Sequence, residues 1–89
     1  MKIHDLKCNG ASFDLIRSGA KRADVRLNDR DYQRQDILIL RRLTDDGEYS
    51  TVHDPQMVRI TSVLLGGQYG IEHGYVLLSI ERVFLQAAS

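Results

Sequence analysis

The sequence has no long apolar run and a single cysteine. No stretch approaches the roughly 18 apolar residues that a membrane-spanning helix needs, and the N-terminal residues MKIHD lack the apolar segment of a signal peptide. The one cysteine, Cys8, excludes an internal disulfide, which is typical of a reducing compartment. We therefore expect a cytoplasmic protein that does not associate with membranes, in which Cys8 is a small buried residue.

Net charge is also absent, because 12 basic and 12 acidic residues cancel. A neutral chain is not a general nucleic-acid binder. The charges are unevenly placed, however: residues 17–34 carry six basic and three acidic side chains, whereas residues 44–89 carry two basic and six acidic ones. Such asymmetry favours an anionic ligand at one patch. The chain has 89 residues, 43% of them hydrophobic, and no repeats, so one domain over residues 1–89 is predicted.

A short helix is predicted after a first strand at Ile3–Cys8. Ser12 is the predicted N-cap residue, and Gly19 supplies the stop, where a left-handed residue is commonly needed. The apolar stripe of this helix consists of Phe13, Ile16 and Ala20.

The segment after this helix alternates polar and apolar residues, as a strand does when one face is buried. It predicts a strand over Arg22–Leu27. The face expected to be buried consists of Ala23, Val25 and Leu27. The face expected to be solvated consists of Arg22, Asp24 and Arg26. The following run, Asn28-Asp29-Arg30-Asp31, is predicted to be a turn whose side chains cap backbone amides.

The rest of the chain predicts strands joined by turns. These strands are Ile37–Leu40, Glu48–Val52, Met57–Leu65 and Tyr75–Val83. Residues 45–47 mark a hairpin turn, residues 66–74 with their four glycines an irregular loop, and residues 86–89 a frayed tail. Strands dominate, so the predicted fold class is α+β, mainly β. We expect a small curved β-barrel of five or six largely antiparallel strands with one short helix near the N-terminus.

The pattern Gly19-x-Lys21-x-x-Asp24-x-Arg26 resembles the G-x-K-x-x-E-x-R signature of the ASCH domains, within the PUA-like superfamily of small β-barrels. Nearly the whole chain, in order, resembles an uncharacterised bacterial and phage family of that superfamily. The residues that carry this wider resemblance are His4-x-Leu6-Lys7, Phe13, Asn28-Asp29-Arg30-Asp31, Asp36-Ile37-Leu38, the glycine loop and Gly74-Tyr75-Val76. The resemblance implies a PUA-like barrel with a cleft beside the helix. Gln35 stands where relatives usually have glycine.

The superfamily is associated with RNA and modified nucleosides, so the resemblance implies a module that binds RNA or a modified nucleoside or nucleotide in a basic cleft. The candidate ligand-binding residues are Lys7, Lys21, Asp24, Arg26, Asn28, Arg30, Gln68 and Tyr69. The planar fork of Arg26 fits phosphate or a base edge, and Gln68-Tyr69 offers an amide and a ring to a base. The plainer alternatives are surface ion pairs around Asp24 and a tyrosine that covers the end of the barrel.

Some small ASCH proteins are amidohydrolases that act on N4-acetylcytidine, which gives a second hypothesis. Lys21 would activate water or the leaving group, with Asp24 or Glu72 as proton carrier. Asp24 stands at the position of the hydrolase threonine, so that hydroxyl is missing here. A third hypothesis is a protein-interaction module. No metal or other cofactor is expected, because the three histidines show no metal-ligand spacing.

Overall fold

A computed structural model describes residues 1–84 of the chain and shows five strands and one helix there. In chain order the elements are β1 (Ile3–Cys8), α1 (Gly10–Ser18), β2 (Ala23–Leu27), β3 (Ile37–Arg42), β4 (Gln56–Leu65) and β5 (Tyr75–Arg82). The strands form one sheet in the order β1-β3-β4-β5-β2. β1 and β3 are parallel, and the other three pairs are antiparallel. The predicted fold class is confirmed. The chain is mainly β, and its sheet curls into a half-barrel with one short helix near the N-terminus.

The hydrophobic core lies inside the curl of the sheet, where alternate residues of the strands meet the helix. α1 contributes Phe13 and Ile16, which are 0% and 1% exposed. The strand residues of the core are Leu6, Cys8, Leu38, Leu40, Val58, Ile60, Val76, Leu78 and Ile80. Burial of each large apolar side chain stabilises the fold by about 1.5–3 kcal/mol. Cys8 is a small buried residue, as predicted.

The helix begins earlier than predicted, because Asn9 and not Ser12 is its N-cap. The Asn9 side-chain oxygen accepts a hydrogen bond of 2.8 Å from the Ser12 backbone N–H. Asparagine caps a helix as well as serine does, and Asn9 directly follows β1. Gly19 ends the helix in the left-handed conformation, with φ 85°, as predicted. Ala20 lies beyond this end and is exposed, so its assignment to the apolar stripe is wrong.

β2 presents to the interior the face that the sequence predicted to be solvated. Asp24 is buried, with 8% of its surface exposed. Two residues of the face predicted to be buried, Val25 and Leu27, are instead exposed over 55% and 54% of their surface. The reason is the register with β5, which pairs Asp24 with Leu78 and Arg26 with Val76, two core residues. Directly paired residues share a face of the sheet, so the charged residues of β2 point inward.

The hairpin turn at residues 45–47 is confirmed, but the predicted return strand Glu48–Val52 is wrong. In that segment only Tyr49 forms a bridge to the preceding strand region. The Ser50 N–H still donates to Arg42 O, but the Ser50 hydroxyl accepts a hydrogen bond from the Val52 N–H, and the chain turns before β4 begins.

The irregular glycine loop at residues 66–74 is confirmed, and the bounds of β4 and β5 differ from prediction by one residue. The predicted frayed tail, residues 86–89, lies outside the described residues. Within residues 1–84 no helix has the length and apolar character needed to cross a bilayer.

Candidate functional site

The curled sheet stays open between its two edge strands, β1 and β2, and a cavity of about 610 Å³ lies between them. Residues 5–8 of β1 form one wall and residues 24–27 of β2 the other. The start of α1 closes one end, and the turn after β2 closes the other. A cavity of this size accommodates a small ligand such as a nucleotide.

The structure brings together the three charged residues of the signature. One carboxylate oxygen of Asp24 lies 3.2 Å from Lys21 Nζ, and the other accepts a hydrogen bond of 2.7 Å from Arg26 Nε. Because β2 begins only at Ala23, Lys21 is free of the strand alternation and reaches the same carboxylate as Arg26. Lys21 Nζ also donates to Ser12 Oγ at 2.8 Å. Asp24 is therefore held between two cations, which compensates the cost of burying it.

Arg26 connects the two walls of the cavity. Besides donating to Asp24, it donates from Nη2 to the backbone carbonyl oxygen of Lys7 at 3.3 Å. A guanidinium has five N–H donors, so three of them remain unused by residues 1–84. A side chain that is fixed at two points and keeps donors unused is suited to bind an anion.

The cavity carries an excess of positive charge although its lining is formally neutral. The charged lining residues are Lys7, Arg26, Arg30, Asp5, Asp24 and Asp29. Two of the carboxylates are paired with cations that are not part of the lining: Asp5 with Arg41, and Asp24 with Lys21. Hydrogen bonds from Arg41 lower the pKa of Asp5, which keeps that pair charged. Together with these two cations the lining has five positive and three negative groups, and this excess favours an anionic ligand.

The floor of the cavity is formed by buried side chains, Leu6, Cys8 and Tyr32. Burial raises the pKa of the Cys8 thiol and of the Tyr32 phenol, so both stay neutral near physiological pH. The edge of the His4 ring packs on Tyr32, with the ring centroids 4.9 Å apart. His4 Nε2 in turn lies 2.9 Å from Asp36 Oδ2. Buried side chains at the bottom of the cavity and charged side chains at its opening suit a ligand that has both an apolar and a charged part.

The predicted site residues divide into two groups. Those that line the cavity are Lys7, Asp24, Arg26 and Arg30, and Lys21 adjoins it through its contacts with Ser12 and Asp24. Those outside the lining are Asn28, Gln68, Tyr69 and Glu72. The Asn28 N–H donates to Gly74 O, and the Gln68 amide donates to Leu65 O. The structure does not bring Glu72 to Lys21.

The cavity residues that sequence reasoning missed include Ser12, Tyr32 and Tyr49. Ser12 was assigned to the helix cap, and its hydroxyl contacts Lys21 instead. Tyr32 follows the charged turn after β2 and has no periodic signal that marks it as buried. Tyr49 lies at the rim, with Lys7 Nζ 5.8 Å from its ring centroid. An aromatic residue directly after a charged turn was the one available signal for Tyr32.

Fold and site together define a small, mainly β domain whose curled sheet leaves a charged cavity between its edge strands. The family model described as "Domain of unknown function (DUF3850)" matches residues 3–80, and the chain belongs to that family.

Two individual proteins are similar to it. An "uncharacterized 12.9 kDa protein in GpA 3'region" of Escherichia phage P2 is 51% identical over 39 residues, which is 44% of this chain. The match spans 36% of the length of that phage protein. The crystal structure of hypothetical protein PH0355 superposes with a TM-score of 0.63 at 18% identity, and the match covers 93% of this chain and 100% of that one. The latter likeness shows the fold.

Proposed function

We propose that this chain is a binding module of the ASCH, PUA-like type that holds RNA or a nucleotide in the cavity between β1 and β2. The observation that carries the proposal is Arg26 on the cavity wall. Asp24 and the Lys7 carbonyl fix its guanidinium, and three of its N–H donors remain unused by residues 1–84. Arginine in such a setting binds phosphate or the edge of a base through two parallel hydrogen bonds.

Two further features favour a nucleotide over a simple anion. The floor of Leu6, Cys8 and Tyr32 adds a small apolar surface to a lining that is otherwise mostly polar, and a planar base can pack against it. Tyr49 at the rim is 52% exposed and offers a ring on which a base can stack. A nucleotide combines a ring for the floor with a phosphate for Arg26 and Arg30.

The test is a titration of the protein with short single-stranded RNAs and with free nucleotides, first at low salt and then at rising salt. We expect saturable binding whose affinity falls steeply as salt rises, because phosphate contacts release counterions. Lack of saturable binding to every RNA and nucleotide at low salt would refute the proposal. Binding that salt does not weaken would contradict the role of the phosphate contacts.

Hydrolysis of an N4-acylated cytidine is the second candidate, and one contact supports it. Lys21 Nζ lies 2.8 Å from the Ser12 hydroxyl, so a hydroxyl stands beside the lysine although the signature carries Asp24 at the threonine position. Water would add across the amide to give cytidine and acetate. Incubation with N4-acetylcytidine followed by chromatography tests this candidate. Turnover that survives Lys21→Ala unchanged would exclude Lys21 from the reaction.

A further inference from the structure

Tyr32 is nearly inaccessible but has a hydroxyl without a partner. Only 4% of the residue is exposed, and no hydrogen bond joins its hydroxyl to another residue of the described chain. Fully buried side-chain nitrogen and oxygen atoms of the described residues all have hydrogen-bond partners. The small exposed part of Tyr32 therefore includes its hydroxyl.

This hydroxyl opens onto the cavity. Tyr32 is part of the cavity lining. Burial is the main cause that raises its pKa, and the charges that act on it are those of Arg26, Asp29, Arg30 and Asp24. All four of these residues line the same cavity. The phenol oxygen thus lies among the groups that a bound ligand would meet.

The ring of Tyr32 is held in one position by its neighbours. The His4 ring packs edge-on against it at an interplanar angle of 62°, and His4 is fixed by the buried carboxylate of Asp36. That carboxylate also accepts hydrogen bonds from the backbone N–H groups of Lys2, at 2.9 Å, and of Gln33, at 3.0 Å. Gln33 directly follows Tyr32, so Asp36 fixes both the ring and its backbone. Supporting contacts of this kind hold a ligand-binding group in place before the ligand arrives.

We propose that the cavity takes one unpaired nucleotide with its base inserted toward the floor, and that the Tyr32 hydroxyl hydrogen-bonds to the polar edge of that base. This inference rests on the proposed function and adds the orientation of the ligand and a specificity-determining residue. A hydroxyl both donates and accepts, so it pairs with a carbonyl or an amino group of a base. The base must be unpaired because a partner strand would occupy that edge.

The experiment compares the wild type with Tyr32→Phe, which removes only the hydroxyl. Isothermal titration at low salt uses the four ribonucleoside 5′-monophosphates and ribose 5-phosphate, which has the sugar and phosphate but no base. We expect the wild type to bind at least one nucleotide about 10-fold more tightly than ribose 5-phosphate. Tyr32→Phe should weaken the binding of that nucleotide by about 3- to 10-fold, because one hydrogen bond to the base is lost. The affinity for ribose 5-phosphate should stay unchanged.

Two controls separate recognition from structure. Tyr75→Phe removes a hydroxyl that lies outside the cavity lining and should leave the nucleotide affinity unchanged. The midpoint of thermal unfolding of Tyr32→Phe should equal that of the wild type, because the hydroxyl has no partner in the described structure. A clear fall of this midpoint would overturn the inference, since it would show that the hydroxyl supports the fold.

The outcomes also distinguish this inference from the proposed function. Equal affinity for nucleotides and ribose 5-phosphate would overturn base insertion and leave a phosphate-binding cavity standing. Equal weakening of both ligands by Tyr32→Phe would likewise overturn the role of the hydroxyl in reading the base. A wild type that binds neither a nucleotide, nor ribose 5-phosphate, nor short RNA would refute the proposed function itself.

Discussion

Arg26 donates a hydrogen bond of 3.3 Å to the backbone carbonyl oxygen of Lys7 and so joins the two edges of the sheet through a side chain. On the side that faces β3, the carbonyl oxygen of Lys2 accepts a hydrogen bond from the Ile37 N–H, and that of Cys8 accepts one from the Leu43 N–H. Because alternate residues of a strand bond to the same neighbour, the Lys7 carbonyl points to the open edge. A charged side chain in place of a sixth strand protects this edge from pairing with other chains and keeps the gap accessible to a polar ligand.

Arg26→Gln should weaken nucleotide binding by about 10- to 100-fold, because a hydrogen bond from a charged group contributes about 1.5–3 kcal/mol. The slope of log affinity against log salt should also fall by about one. Titrations at several salt concentrations measure both effects. The matched control is Arg59→Gln, since Arg59 pairs with Glu81 outside the cavity lining. Equal effects of the two substitutions would contradict a specific role for Arg26.

The contact between Lys21 and Asp24 should appear as an energetic coupling. Asp24→Asn leaves two partly buried cations without their anion and should lower the free energy of unfolding by about 1–3 kcal/mol. Lys21→Met should cost less, because Lys21 is the more exposed partner. Urea unfolding of both single variants and the double variant gives the coupling, which we expect to be about 1 kcal/mol. Simple additivity of the two single effects would show that the pair does not stabilise the fold.

Local signals predicted most of the fold. Gly19 ends the helix because a left-handed residue is needed there, and the alternation of side chains predicted β4 to within one residue. The buried face of β2 could not be predicted in this way. Alternation defines two faces but does not tell which one meets the core, and here the pairing of Asp24 with Leu78 decides it. That pairing joins residues far apart in the sequence.

The candidate site, like the fold, was predicted in its local part and not in the part that depends on contacts between distant segments. Lys21, Asp24 and Arg26 were suggested as a cluster by the resemblance of residues 19–26 to a known signature, and the structure brings the three side chains together. Tyr32 and Tyr49 reach the cavity only because β1 and β2 become the two facing edges of the sheet. No local pattern of the sequence contains that arrangement.

Asp36 should make stability depend on pH in the acid range. Burial alone would raise its pKa, but hydrogen bonds from His4 and from the N–H groups of Lys2 and Gln33 outweigh burial and lower the pKa from 3.8 to about 2. The pKa of Asp36 is lower in the folded state than in the unfolded state. Ionised Asp36 therefore stabilises the fold at pH values above the unfolded-state pKa of 3.8. This contribution, about 2 kcal/mol, is lost as the pH falls through 3.8 toward 2.

Asp36→Asn tests this dependence. The variant should be less stable than the wild type at neutral pH and should lose less further stability than the wild type between about pH 4 and pH 2. Urea unfolding across that range measures the difference. The idea fails if the variant and the wild type lose stability in parallel as the pH falls.

A substitution at the start of α1 tests whether Asn9, and not Ser12, caps the helix. Asn9→Ala removes the oxygen that accepts the Ser12 N–H and should cost about 1 kcal/mol of unfolding free energy. Asn9→Asp keeps an acceptor at the same place and should stay within about 0.5 kcal/mol of the wild type. Thermal or urea unfolding measures both. Wild-type stability of Asn9→Ala would mean that Asn9 does not cap α1.

The backbone of Gln35 has a conformation that favours glycine. Its φ is 78°, in the left-handed region that costs a residue with a side chain about 1–2 kcal/mol. The turn keeps this conformation because the Gln35 N–H donates to Ile60 O at 2.7 Å and the Asp36 N–H donates to Gln33 O at 3.1 Å. Gln35→Gly should therefore stabilise the protein by about 0.5–1 kcal/mol, after the greater freedom of glycine in the unfolded chain is subtracted.

Arg34→Gly is the matched control for that substitution, because Arg34 lies in the same turn without a positive φ and its side chain makes no hydrogen bond within residues 1–84. There the glycine relieves no strain and adds only unfolded-state freedom, so it should destabilise by about 0.5–1 kcal/mol. Urea unfolding of the two variants should therefore give changes of opposite sign. Loss of stability in both would mean that the left-handed conformation of Gln35 carries no strain in solution, and that the hydrogen bonds of the turn are satisfied by another backbone geometry.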